Sequence, residues 1–301
     1  MMKRALILLM AVALCVLAGC SFGNFYRSYD HAWRYTRGGG AIDGRVESLE
    51  IHWNAGSVNI QYYDGDEVLL EEDASRPLSR KNSLYYWLDG DTLRVQYAKS
   101  GFRFALLPWT RNPAKDLTVR LPEGTTLEAL SVYTVSADVW ADAIAADEAE
   151  IDTVSGDADL ANVRFTETEA GTVSGSIQAV LLGQSHFVEL NSVSGSISAC
   201  TQTADGVQIN TTSGDVDFAA ETAPGSFSAS TVSGNICLYL PQDDGYTIRM
   251  DSISGDFHSD LPFRPDGGRY TYGSGANKYS VDTVSGDLFF EPLADISDWY
   301  Y

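Results

Sequence analysis

The residues in this 301-residue chain whose type and spacing could do chemistry are a serine that recurs about every twenty residues, acids two positions after it, and four histidines. The serine belongs to a phrase Thr-Val-Ser-Gly-Asp-apolar. Its copies fall at Ser136, Ser155, Ser174, Ser194, Ser213, Ser233, Ser254 and Ser285, with steps of 19, 19, 20, 19, 20, 21 and 31 residues. A nucleophilic serine needs a histidine held in phase with it. His31, His52, His186 and His258 keep no such phase, and they show no metal-ligand spacing among themselves. The acids at +2 (Asp138, Asp157, Asp215, Asp256, Asp287) suggest a calcium ladder. The glycine-rich nonapeptide of calcium-binding β-rolls is missing, however, and Ser176, Ser196 and Asn235 interrupt the column. No glycine-rich phosphate loop follows a strand and opens a helix. No catalytic residue, metal or cofactor is expected, and the chain is not expected to be an enzyme.

A different chemistry is expected at Cys20. Lys3 and Arg4 precede an apolar run from Ala5 to Leu17, which ends in Leu17-Ala18-Gly19-Cys20 and passes at once into Ser21-Phe22-Gly23-Asn24. The run is short for a membrane span and ends in small residues, the layout of a secretory signal. The last four residues look like a bacterial lipobox, in which the cysteine is diacylglycerated and becomes the mature N-terminus. Several acyl chains anchor stably where one does not. The expected location is therefore extracytoplasmic, lipid-anchored to a membrane, at the cell surface or facing the periplasm.

The repeats must be positioned by strands. Counting from each serine, apolar residues fall at −6 and −4, with Thr or Ser at −2: Val188, Leu190, Ser192; Val207, Ile209, Thr211; Phe227, Ala229, Thr231; Tyr279, Val281, Thr283. After the glycine the apolar positions are +3 and +5, as in Ile177 and Ala179, Val216 and Phe218, Ile236 and Leu238, and Leu288 and Phe290. This is period-two alternation with one buried face. The phase changes at the pairs Ser155-Gly156, Ser174-Gly175, Ser194-Gly195, Ser213-Gly214, Ser233-Gly234, Ser254-Gly255 and Ser285-Gly286. One residue is absorbed there by a bend, which glycine allows through positive φ or close backbone approach. One repeat cannot bury its apolar face, but a stack can. The expected fold is all-β: a single-stranded parallel β-solenoid of rungs about twenty residues long, with an irregular β N-terminal cap. Cys200 at +6 and Cys237 at +4 lie two rungs apart, about 9.6 Å at strand spacing, so free thiols are expected.

The expected organisation is a signal peptide over 1–19, a flexible basic leash over 20–43, an irregular β cap over 44–121, solenoid repeats over 122–291 and a tail over 292–301. The tail, ending in Trp299-Tyr300-Tyr301, is expected to close the far end. Charge divides sharply. Residues 1–121 hold 15 Lys and Arg against 13 Asp and Glu, whereas residues 122–301 hold 5 against 28. Nucleic acid, which needs clustered cations, is a poor partner, and the acidic surface favours a monomer. Two stretches are expected as contact surfaces. One is the apolar 97–113 segment with Phe102, Phe104, Trp109 and Arg111. The other is a protruding 257–283 loop with Phe263, Arg264, Arg269 and Tyr270, since insertions in repeats often sit on a binding face.

The phrase Thr-Val-Ser-Gly-Asp-Ile at this period resembles a bacterial β-strand-repeat family of candidate adhesins, a domain of unknown function. Asp116-Leu117-Thr118-Val119-Arg120-Leu121-Pro122-Glu123-Gly124 is similar to the element that leads into that family's repeats. The resemblance spans about residues 45–290. It implies the fold and supplies no binding or catalytic residues. The first functional expectation is a non-catalytic binding or adhesion module with a glycan or protein partner. The second is an envelope sensor or assembly factor that presents the solenoid to a membrane partner, and the third is a polysaccharide-active enzyme.

Overall fold

The alternating residues of each repeat form two strands that meet at Ser-Gly and face each other across a thin core. In the computed structural model, which describes residues 26–103, 114–242, 245–293 and 296–299, every apolar residue assigned above to an inward position is buried. Successive repeats stack as parallel strands in register. Ile177 pairs with Ile197, Ile197 with Val216, and Val216 with Ile236. This is the expected β-solenoid, with a single continuous hydrophobic core.

The Ser-Gly bend is held by four bonds that use the motif residues. The −2 hydroxyl accepts the glycine N–H of its own bend, as in Gly175 to Thr172 Oγ1 at 2.9 Å and Gly195 to Ser192 Oγ at 2.8 Å. The serine donates its N–H and its Oγ–H to the valine carbonyl of the preceding rung, as Ser155 does to Val135 at 3.0 and 3.2 Å. The +2 acid accepts the +2 N–H of the next rung, as Asp157 does from Ser176 at 2.7 Å and Asp215 from Asn235 at 2.8 Å. The repeated serines and acids are thus engaged as rung-to-rung connectors.

Glycine is required here for close approach and not for positive φ. None of the seven motif glycines has φ in the left-handed region. A Cβ on Gly195 would lie 1.6 Å from the Gly175 carbonyl oxygen, and one on Gly234 would lie 1.8 Å from that of Gly214. The opposite corner uses left-handed residues in three rungs: Ala143 (φ 57°), Asn162 (φ 55°) and Gly183 (φ 79°).

Rung order in space differs from order in sequence at both ends. At the C-terminal end, strands Asn277–Asp282 and Leu288–Pro292 stack directly on Ser226–Ser230 and Ile236–Leu240. Strands Tyr246–Asp251 and Phe257–Ser259 then form the last rung. The 31-residue step is therefore an excursion outward and back. Its middle is not a protruding loop. Arg264–Asp266 and Arg269–Tyr272 form an antiparallel hairpin, and the second of these strands pairs with the outer edge of Tyr246–Asp251. Phe257 stacks on Tyr270 at 4.1 Å, and Phe263 packs on Phe290 at 5.1 Å, plugging the core.

The N-terminal end repeats the device. Strand Ser48–Tyr63 is itself a rung, with Trp53 at the −2 position and Gly56 at the glycine position, and it stacks on Thr126–Asp142. Thr92–Gln96 and Lys115–Pro122 form the outermost rung, and the antiparallel strands Tyr85–Asp89 and Val68–Ala74 cover its edges. Covered edges cannot template pairing with another chain. Lys115 closes this end of the core at 1 % exposure. Its ammonium donates to Glu72, to the Tyr97 carbonyl and, at 2.8 Å, to the Asn82 carbonyl, beneath the Trp53 and Tyr97 rings. Burial lowers its pKa to about 8, and Glu72 opposes that shift.

Two further expectations are corrected. The leash expected as flexible over 20–43 is paired where it is described: Thr36–Arg37 joins Tyr85–Asp89, and Gly40–Ile42 joins Val68–Ala74. These short strands cap the strands that cover the first rung. The tail does not close the far end. Its turn Ile296–Trp299 lies on the outer side wall, where Leu293, Ile296 and Trp299 cover Val180, Cys200 and Ala219. Cys200 and Cys237 are free, as their register requires. Burial first, then neighbouring carboxylates, push both thiols up to about 12.

If close approach is the reason for the motif glycines, Gly195→Ala should cost more than about 3 kcal/mol, in the range reserved for steric strain and broken networks. Gly183→Ala, which meets open space and only a left-handed φ, should cost about 1–2 kcal/mol. Urea unfolding of the two variants checks this, and equal costs would refute it.

Candidate functional site

With the motif side chains engaged in the bends, what varies between rungs is the outward face. The −5 and −3 positions form one continuous wall from end to end. In spatial order, −5 reads Arg94, Glu50, Ser131, Glu150, Glu169, Glu189, Gln208, Ser228, Ser280 and Arg249. The −5 column is mixed at its start, acidic in its middle, neutral over three rungs and basic at its C-terminal end, where the −3 column adds Asp282 and Asp251.

The first part is tightly bonded. Arg94 pairs with Glu50, whose other oxygen lies 2.6 Å from His52 Nε2. The hydrogen bond from His52, followed by its charge and that of Arg94, outweighs burial and lowers the Glu50 pKa. His52 stacks on Tyr133 at 5.0 Å, and Tyr133 donates to Glu150 at 2.5 Å. Farther along, Asn210 donates to Asn191, and Asn191 to Glu189, each at 3.0 Å.

Between these groups Asp152 leans over Gly171, where a Cβ would lie 2.5 Å from its Oδ1. Burial, and then Glu150 and Glu169, raise its pKa to about 6. Because the folded state holds this proton more tightly than the unfolded chain, its contribution is full below about pH 4 and is lost as pH rises through about 6.

The basic end is a groove of about 550 Å³ lined by Thr247, Arg249, Arg269, Thr271, Lys278 and Ser280, with the buried Phe227 and Tyr279 at its floor. Arg249 and Arg269 stand directly opposite on adjacent strands, and Lys278 is opposite Thr247 on the next strand inward. Arg249 pairs with Asp251 at 2.6 Å. Among the described residues, no carboxylate forms an ion pair with Arg269 or Lys278. These are three of the five cations in residues 122–301.

Of the residues expected as contacts, only Arg269 lines this groove. Arg264 is exposed on the hairpin strand beyond it, whereas Phe263 and Tyr270 turn inward and pack on the core. They are plug residues because the end of a stacked core must be covered. Phe102 lies in Phe102–Arg103, which pairs with Tyr26–Arg27. Phe104, Trp109, Arg111 and Cys20 lie outside the described residues. Arg249 and Lys278 were not singled out from the sequence. Their signal was rarity, as cations in a strongly acidic half, but which rungs adjoin was hidden by the out-of-order end.

Asp152→Asn should stabilise the fold at pH 8 by about 1–3 kcal/mol, from a raise of about two pKa units at about 1.4 kcal/mol each, reduced for partial exposure. At pH 4 it should be near neutral. Thermal melts at both pH values check this, and an equal shift at both would remove the proton as the cause.

The chain's residues 46–289 match the model of the Toastrack DUF4097 family. No curated protein matches the sequence. Three solved structures are similar at low identity. A candidate adhesin from Bacteroides fragilis is 15 % identical, with 85 % of this chain and 98 % of that one covered and a TM-score of 0.45. A candidate lipid-binding protein from Parabacteroides distasonis is 12 % identical, covering 86 % and 97 %, at 0.37. A candidate cell-adhesion protein from Clostridium sporogenes is 11 % identical, covering 85 % and 100 %, at 0.26. With its family model matched over most of its length and its rungs stacked as that repeat requires, the chain belongs to the Toastrack DUF4097 family, a domain of unknown function.

Proposed function

We propose that this protein is a lipid-anchored, extracytoplasmic, non-catalytic binding module. The observation that carries the reading is the division of labour within each rung. Motif serines, threonines, glycines and acids are engaged in rung-to-rung bonds, while the outward wall changes its side chains from rung to rung at strand spacing, about 4.8 Å. Such a wall suits an extended ligand read over several rungs. The anchor part of the reading rests on Leu17-Ala18-Gly19-Cys20 and the apolar run before it. Ten rungs span nine spacings, about 43 Å. The first described residues lie at one end of this stack, and the basic groove lies at the other. A tether on Cys20 would hold the first end near lipid and leave the groove distal.

Two measurements test this. Cells fed a clickable palmitate should label the full chain, and Cys20→Ser should lose the label and partition into the aqueous phase. The detergent-solubilised full chain should bind a defined subset of a glycan array. Silence on the array together with crosslinking to a single membrane protein would replace the binding module with an envelope sensor. Release of uronic acid or reducing ends from any polysaccharide would overturn the non-catalytic reading.

A further inference from the structure

Resting on the reading of the chain as a binding module, we propose that the groove formed by Arg249, Arg269 and Lys278 binds an acidic polysaccharide through its carboxylate or sulfate groups. The first argument is placement. A chain half with 28 acids and 5 cations sets three of those cations around one groove. Two of them, Arg249 and Arg269, face each other across adjacent strands, where like charges repel. Of the three, Arg249 alone pairs with an acid among the described residues. An anion between them removes that repulsion.

The second argument is the shape of the cation set. The three cations sit on three adjacent strands, so they span about two strand spacings, roughly 10 Å. Cations spread over this distance can each meet a different anion of a regularly charged chain. Thr271 and Ser280 line the same groove and suit the hydroxyls of a sugar, while Thr247 donates its own hydroxyl to the Gly275 carbonyl at 2.9 Å. A protein partner would look for exposed aromatic anchors. Among the described residues the exposed large apolar side chains are Trp33, Trp140, Phe187 and Ile253, and none lines the groove.

The third argument answers the overall negative charge. Glu189 is the nearest acid of the −5 column, and the rungs of Gln208, Ser228 and Ser280 separate it from Arg249. Four spacings make about 19 Å, more than twice the screening length at physiological salt, about 8 Å. Asp251, Asp266 and Asp282 are the acids close to the groove. They reduce its affinity and make it selective for a ligand that contacts all three cations.

The test uses the full chain in detergent at low salt, titrated calorimetrically with a heparin-derived octasaccharide, an oligogalacturonate and an oligodeoxynucleotide of similar charge. The oligogalacturonate carries carboxylates alone and the heparin fragment adds sulfates, so binding of the second without the first assigns recognition to sulfate. Saturable binding of either sugar is expected. Arg269→Gln with Lys278→Gln should weaken it about tenfold or more, and Arg164→Gln, remote from the groove, should leave it unchanged. Charge-retaining Arg269→Lys with Lys278→Arg should keep most of the affinity, which separates a binding loss from a folding loss. No saturation by either sugar, undiminished binding in the Gln variant, or equal binding of the oligonucleotide would overturn the proposal. Neutral-glycan binding on the array that ignores these variants would also overturn it, while leaving the binding module standing.

Discussion

Everything in this molecule depends on how closely one rung's bend sits on the next. The carbonyl oxygen of one motif glycine occupies the place where a Cβ of the following glycine would be, as between Gly175 and Gly195. That contact brings the serine hydroxyl and N–H onto a single valine carbonyl and the +2 N–H onto the neighbouring carboxylate. Each rung is thereby bonded to its neighbour along the strands and again at the corner. A thin core with few layers gains rigidity from this second set of bonds, since buried polar groups are costly unless satisfied. The −2 hydroxyls, buried in nearly every rung, are satisfied by the glycine N–H they accept and, in several rungs, by a carbonyl or hydroxyl to which they donate.

A stack bonded in this way has exposed ends, and the chain manages both by the same manoeuvre. At the C-terminal end it passes the penultimate position, builds the outermost rung and returns to fill the gap. At the N-terminal end it runs the same path in reverse, penultimate rung first, then outermost, then inward past both. The outward segment supplies antiparallel strands for the open edges. At one end the core is closed by aromatic rings around Phe263 and Tyr270. At the other it is closed by the buried Lys115 under Trp53. A buried ammonium with one carboxylate and two carbonyls is no gain over an apolar plug in itself. It does satisfy the carbonyls of Asn82 and Tyr97 where the first rung leaves them facing inward.

The outward wall inherits its geometry from the same stacking. Because the rungs stack in register on this wall, side chains 19 or 20 residues apart in the regular rungs, and 31 to 81 apart at the ends, become neighbours at strand spacing, and their charges add. Burial first, and then the neighbouring acids of the middle rungs, raise the pKa of Asp152 and Glu169. The end-swap instead brings Arg269 beside Arg249. Charge segregation along a rigid wall gives a ligand a direction and a register, which is more selective than net charge alone.

The sequence by itself determined the rung. Alternation placed Val188 and Leu190 inside, the phase change placed the bend at Ser-Gly, and the +4 and +6 offsets kept Cys237 and Cys200 apart. These follow from local rules, the period of a strand and the small size of glycine, that act wherever the residues stand. Only the tertiary structure decided the order of rungs at the ends. The copy at Ser285 carries the same motif as the copy at Ser254, so either would fit beside Ser233 by pattern alone. The choice between them depends on which arrangement covers the open edges and plugs the core, a property of the whole stack. For the same reason Phe263 and Tyr270, apolar residues in an insertion, became core plugs. Rung 48–63 is hidden in the sequence because Trp53 and Ala55 replace the hydroxyl residues at its bend, although Gly56 and Ser57 keep their positions. Arg269 reached Arg249 and Lys278 because the end-swap leaves the outer edge of Tyr246–Asp251 free to pair with Arg269–Tyr272.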